Sequence, residues 1–220
     1  MALFRRKRAA GTDAPPENGQ AGREGGGQNA RATAPQQGEP DPQNGPFDVD
    51  DLPTREGLVD LGGILLPGIQ SLVVSMEMDQ ASGDVTAVRI HLGESQLQLQ
   101  AFAAPRSSGI WDEIRGEIAE MIEKNRGTVE EGTGPFGTEL RTRLPQPGGD
   151  GRTVFAPAIF AGVDGPRWFL RAVYSGRAAV DEAARARLDD VVRDLVVVRG
   201  ADPMAPREML ELKMPATEQS

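Results

Sequence analysis

The chain of 220 residues has no cysteine and a single histidine, His91. Without thiols it can hold no disulfide framework and no cysteine-ligated zinc or iron–sulfur centre. A zinc site would have to combine His91 with carboxylates, an uncommon donor set. Long apolar runs are missing as well: none approaches the roughly 18–20 residues that span a bilayer. The start, MALFRRKR, is not followed by the apolar stretch of a secretory signal, so the expected compartment is the cytoplasm. The sequence also lacks GxSxG, a Walker lysine loop and HExxH, the signatures of common hydrolytic and phosphate chemistry. The glycines of EEGTGPFG lead into Pro135 rather than a helix, so they read as a turn and not as a phosphate cradle. No catalytic residue, cofactor site or metal site is therefore expected.

One absence is local. From Arg5 to Pro46 there is no Val, Ile, Leu, Met, Phe, Trp or Tyr, while the same stretch holds eight Gly and six Pro. A segment that can bury so little apolar area cannot offset the entropy of ordering. The expectation is a disordered tail over residues 1–46, one domain over 47–215 and a short disordered end at 216–220. Arg5, Arg6, Lys7 and Arg8 follow Leu3 and Phe4. They read as a solvated basic end. The alternative is a weak membrane-surface contact, for which four charges and two apolar residues give marginal attachment.

The net charge is −9. Residues 1–50 carry six basic and seven acidic residues, and the remainder carries 18 and 26, so the domain itself is acidic. Such a domain is a poor binder of phosphate backbones, and nucleic acid is not an expected partner. Arg outnumbers Lys 21 to 3, with abundant Ala, Gly and Val, which reads as the codon usage of a GC-rich bacterial genome.

What is present is periodicity. Phe47, Val49 and Leu52 of GPFDVDDLP can dock on the domain edge, and LVDLGGILLPG offers a short strand broken at Gly62–Gly63. Three segments then alternate with period two. Leu72, Val74, Met76 and Met78 share one face, as do Val88, Ile90 and Leu92, and then Leu97, Leu99, Ala101 and Ala103, with Gln96, Gln98 and Gln100 opposite. Alternation of this kind implies one buried and one wet face. SSGIWDEIRGEIAEMIEKNRG predicts a helix with Ser108 as N-cap, Gly127 as the C′ residue and a stripe of Trp111, Ile114, Ile118, Met121 and Ile122. Two hairpins follow, the second joined through DGP. A second helix is predicted to run to Gly200, with Ala184, Leu188, Val191, Val192, Leu195 and Val198 on one face. Met209, Leu210, Leu212 and Met214 of the C-terminal segment could pack on the body. The predicted class is α+β: an antiparallel sheet of about six to eight strands in hairpins, with two main helices over one face.

The densest stretch is VDGPRWFLRAVYSG, residues 163–176. In a strand, Trp168, Leu170, Ala172 and Tyr174 point one way, and Arg167, Phe169, Arg171 and Val173 the other. An arginine set among apolar neighbours is either paired with a carboxylate or aimed at an anionic partner. Asp112 or a glutamate of the first helix is the expected carboxylate for Arg171. Asp164 reads as turn chemistry, Asp112 and Arg115 as a helix-surface pair, Trp111 as core, and His91 as a structural or solvent-exposed residue beside the glutamine row. Arg167, Arg171, Trp168, Asp164, Trp111, Asp112 and Arg115 are the candidate partner or ligand contacts.

The stretches PFDVDDLP…VDLGGILLP, APRSSGIWDEIRGEI, VDGPRWFLRAVYSG and VVVRGADPMAPREMLEL, in this order, resemble the bacterial family called domain of unknown function 3710 over about residues 45–215. The resemblance implies no activity, cofactor or site residue. At the level of fold, the order of elements is similar to Mog1/PsbP-like sandwiches, which act mainly as binding or assembly modules; fold alone does not fix function. The leading reading is a cytoplasmic, non-enzymatic module that binds a protein or small ligand through a sheet face or edge. The alternatives are an enzyme with a carboxylate–arginine site built from Asp112, Arg115, Asp164, Arg167 and Arg171, and a peripheral membrane scaffold using the basic start.

Overall fold

A computed structural model describes residues 45–69, 71–106 and 109–215. Ser108, the expected N-cap, lies outside these, as do the basic start, almost all of the expected tail and residues 216–220. The elements are β1 (Phe47–Asp48), β2 (Leu58–Asp60), β3 (Ile64–Pro67), β4 (Val73–Met78), β5 (Val85–Leu92), β6 (Ser95–Ala103), α1 (Trp111–Lys124), β7 (Thr128–Gly134), β8 (Gly137–Pro147), β9 (Thr153–Gly165), β10 (Trp168–Gly176), α2 (Glu182–Arg193) and β11 (Val196–Val197). Seven strands form one antiparallel sheet in the order β4-β5-β6-β10-β9-β8-β7, and the four shortest form a second sheet, β1-β11-β3-β2. The class is α+β, as expected.

The alternation in sequence becomes two faces. Leu97, Leu99, Ala101 and Ala103 of β6 lie in register with Leu170, Ala172 and Tyr174 of β10 and with Val88 and Ile90 of β5. Together with Ile159, Ala161 and Val163 of β9 they pack against Leu188, Val191 and Val192 of α2 and Leu61, Ile64 and Leu66 beside the small sheet. The intervening residues face the other way. There Leu140, Phe169, Phe102 and Phe160 pack on Ile110, Trp111, Ile118 and Ile122. The two helices thus lie on opposite faces, not on one. The small sheet and α2 already fill one face, and the apolar stripe of α1 finds the aromatic side chains of the other. We call these the α2 face and the α1 face.

The expected second helix stops early. Asp181 caps α2 by accepting from the amides of Ala183 and Ala184 at 3.0 and 3.2 Å, but the helix ends at Arg193. Leu195, Val196 and Val197 are buried, with Val196 and Val197 extended between β1 and β3. β-branched side chains flanked on both sides by strands favour the extended form over another helical turn. At the end of α1, the left-handed residue is Arg126 (φ 66°), not Gly127. The amides of Arg126 and Gly127 donate to the carbonyls of Glu123 and Ile122, a Schellman closure with arginine in the C′ place. Met121 is exposed, outside the expected stripe. The expected apolar face of β4 is also open: Val74 and Met78 are exposed and Met76 half-buried.

The broken strand at Gly62–Gly63 is a pair, β2 antiparallel to β3. The C-terminal segment then joins the two sheets. Its backbone bonds to Ala101 and Ala103 beyond the end of β5, then to Leu61 and Gly63 beside the small sheet. This buries Leu210 and Leu212, while Met214 stays exposed. Gly45 and Pro46 are also buried, and any side chain at Gly45 would overlap the carbonyl of Arg193.

Candidate functional site

α1 covers the β7, β8 and β9 end of its face. On β5, β6 and β10, beyond Phe102 and Phe169, the same face turns mainly polar. The register sets Arg89 beside Gln98 and Val173, His91 beside Gln96 and Ser175, and Gln100 beside Arg171. All are half-buried, whereas their α2-face neighbours on these strands are nearly all buried. Hydrogen bonds knit this surface. Glu77 of β4 pairs with Arg89 and accepts from Gln98 Nε2, and Gln100 Nε2 donates to the Thr86 carbonyl at 2.8 Å.

Arg171 lies where this surface meets the part covered by α1, in register with Gly162 of β9. Its Nε donates to Gln100 Oε1 at 3.1 Å, and Nη2 donates to the same oxygen. Its guanidinium carbon is 5.7 Å from the centroid of Phe102. Phe102 stacks on Phe169 at 6.1 Å, and Phe169 on Trp111 at 5.8 Å, so an aromatic ladder runs from beneath α1 out to Arg171. Packing along this ladder fixes the arginine stem. Among the described residues no carboxylate lies within 4 Å of the guanidinium, neither Asp112 nor a glutamate of α1 as expected. Burial without a counter-charge pulls its pKa below the ordinary arginine value. Nη1 has no hydrogen-bond partner among the described residues and remains able to donate to an incoming acceptor.

Four of the other candidates gather at the start of α1. Ile110 occupies the N-cap position and has no side chain able to cap. The amides of Ile110 and Trp111 donate instead to Asp164 Oδ1 and Oδ2, at 2.8 and 3.2 Å, from the end of β9. Burial raises the Asp164 pKa, Asp112 adds to this, and the two amides oppose it. Trp111 lies flat on β9 over Gly162, where any Cβ would overlap its ring, and its indole N–H donates to the Thr138 carbonyl at 2.8 Å. Arg115 bonds both Asp112 and Glu131. Burial alone would lower the Arg115 pKa, but those two carboxylates outweigh it and raise it. These four residues are thus occupied in holding α1 on the sheet.

The last two candidates lie apart. Trp168 is fully buried on the α2 face over Gly165, and donates to the buried Asp48 at 2.7 Å. This bond ties the small sheet to the large one. Arg167 follows Pro166 in the two-residue β9–β10 turn, with φ 67°, the left-handed conformation usually given to glycine. Asp112, Arg115 and Asp164 therefore share a region that Arg171 does not join, since its partners are Gln100 and Phe102.

The residue that frames Arg171, Gln100, was legible as one of a glutamine row but not as its partner. A second cluster carried less signal still. Arg185 of α2 donates to Glu139 at 3.0 Å and to Asp189 at 3.4 Å, with its guanidinium 5.5 Å from the Tyr174 ring centroid. Glu139 is 1% exposed. The Tyr174 hydroxyl lies beside Asp189, and neither it nor Asp189 Oδ1 completes a hydrogen bond of good geometry. Burial and the neighbouring Asp189 raise the Tyr174 pKa well above its ordinary value. In sequence only the i, i+4 spacing of Arg185 and Asp189 was visible, and that spacing ordinarily marks a wet helix face.

The profile of a family described as protein of unknown function, DUF3710, matches residues 45–220. The chain belongs to that family. None of the curated proteins matches it. Among the described residues no helix is long and apolar enough to cross a membrane, and no group of three or more His, Asp or Glu could hold a metal ion.

Proposed function

We propose that the protein is a cytoplasmic binding or assembly module, not an enzyme, and that its partner docks on the open half of the α1 face. The observation that carries this reading is Arg171: a half-buried guanidinium, aromatically braced, with no carboxylate of its own among the described residues. An unpaired cation so placed is costly to keep unless something uses it. The glutamine row around it offers both donors and acceptors. The surface therefore suits a protein partner that presents a carboxylate to Arg171 and backbone or amide groups to Gln96 and Gln98. The similarity of element order to Mog1/PsbP-like sandwiches points the same way, as analogy.

The test compares wild type with Arg171→Met in two assays. Affinity capture from source-cell lysate should recover a partner with wild type and lose it with Arg171→Met, while thermal melts of the two proteins stay close. A variant that retains the same partner would sink the reading. So would one that melts far below wild type, because Arg171 would then be a structural residue.

A further inference from the structure

The large sheet has two edges, and among the described residues each edge strand has one hydrogen-bonded neighbour, β5 for β4 and β8 for β7. An open edge is a ready template for another strand, and proteins usually blunt it with charge, proline or a bulge. β7, TVEEGTG, is blunted by Glu130 and Glu131. β4, VVSMEM, carries neither lysine nor proline, and Val73 and Met78 are 65% and 57% exposed. Its bulge falls between Glu77 and Met78, so Val73 to Glu77 keep regular register.

We infer that β4 pairs with β4 of a second copy of this chain, antiparallel about a two-fold axis, joining the two large sheets. The strand is self-complementary. With Ser75 opposite Ser75 of the second copy, Val74 meets Met76, apolar on apolar. Val73 meets Glu77. The only charge within β4 is Glu77, and each copy neutralises it with its own Arg89. No like charges face each other. Antiparallel pairing of this parity also keeps each face continuous across the axis, because residues directly opposite share a face. The same operation on β7 centred on Glu130 or Glu131 sets glutamate against glutamate, which is repulsive. A two-fold contact uses one patch twice and closes, so it gives a dimer and no fibre.

The absence of cysteine makes a direct test clean. Opposed Cα atoms in an antiparallel pair lie about 4.5–5.5 Å apart, inside the range of roughly 4.4–6.8 Å that a disulfide spans. Full-length Ser75→Cys should therefore oxidise to a disulfide-linked dimer, while Glu130→Cys on the other edge should not. Wild type should sediment as a dimer that dissociates on dilution, and Val74→Lys should raise the dissociation constant at least about tenfold, while thermal midpoints taken at dilutions where both proteins are monomeric stay the same. Arg171→Met should leave dimerisation unchanged, which separates this inference from the docking role proposed above. A protein that stays monomeric at about 100 µM and gives no Ser75→Cys cross-link overturns the inference. So does a dimer that survives Val74→Lys, or one that cross-links only through Glu130→Cys.

Discussion

Arg185 and Arg171 approach β10 from opposite sides, and the protein treats them in opposite ways. Arg185, under α2, is closed in with Glu139 and Asp189 and lies over the ring of Tyr174. Arg171, three residues before Tyr174 in the same strand, is held by one amide oxygen and one aromatic ring. The first arginine has its counter-charges inside the fold, so its contacts are complete and its role is to fix α2 on the sheet. The second has none among the described residues, and its Nη1 has no partner there. Between these two arginines, one from α2 and one on β10, the internal carboxylates mark the residue that serves the fold, and the other is the one proposed to meet a partner.

The comparison can be broken most severely at the tryptophans that anchor the two faces. Trp168→Ala on the α2 face should lose about 3–5 kcal/mol, and Trp111→Ala on the α1 face a similar amount. Trp168→Ala is expected at the upper end, since it also leaves Asp48 buried without its indole partner. Urea denaturation measures both, and a near-native midpoint for either would show that its face is not packed as described.

Next in size is the ionic cluster. Arg185→Met leaves Asp189 buried without its cation and Glu139 with Arg141 alone, and should cost about 3 kcal/mol. Arg171→Met strands no carboxylate, and should cost about 1–2 kcal/mol for its two hydrogen bonds to one neutral acceptor. The difference between these two substitutions, read in parallel melts, is the sharpest form of the comparison. Equal costs would erase it.

The helix caps give a smaller contrast, in pH rather than magnitude. Asp181 has its pKa lowered by the Ala184 amide and by Arg177. Its contribution is present above the ordinary carboxylate value of 3.8 and is lost as pH falls through the lower folded value. Asp164 has its pKa raised by burial. Its contribution is full below 3.8 and is lost as pH rises through the higher folded value. Asp164→Asn, which keeps an acceptor but cannot ionise, should therefore gain stability relative to wild type as pH rises from about 3 to about 6. A difference that stays flat over that interval would refute the raised pKa. Asp164→Ala, which loses the cap outright, should cost about 1–2 kcal/mol.

Much of the fold was legible in the residues. The alternation in β6 named its buried apolar positions, and in β5 it named Val88 and Ile90, because a strand buried on one face must alternate; it missed the buried Ala87, and Leu92 is half-buried. The same rule misled at β4, where Val74 and Met78 have no layer above them: periodicity says which residues share a face but not whether that face is covered. The end of α2 was misplaced because Leu195, Val196 and Val197 fit both a helical stripe and a buried strand. Short apolar runs cannot be told apart without knowing what flanks them.

The candidate contacts show the same division. Asp164 was read as turn chemistry, yet it caps a helix that begins more than fifty residues earlier in the chain. No local spacing encodes such a bond. Gly162 and Gly165 carry no local signal of their role, which is to admit the tryptophan ring lying on each. The sequence by itself determined which residues alternate, where the chain lacks apolar material, and that no thiol chemistry or long apolar span is available. These are properties of composition and of period along one strand or helix. The tertiary structure alone decided which face each helix covers, which of the two arginines flanking β10 receives carboxylates, and which edge strand is left open. Those outcomes depend on residues far apart in the chain meeting in space, and period along the chain does not carry that information.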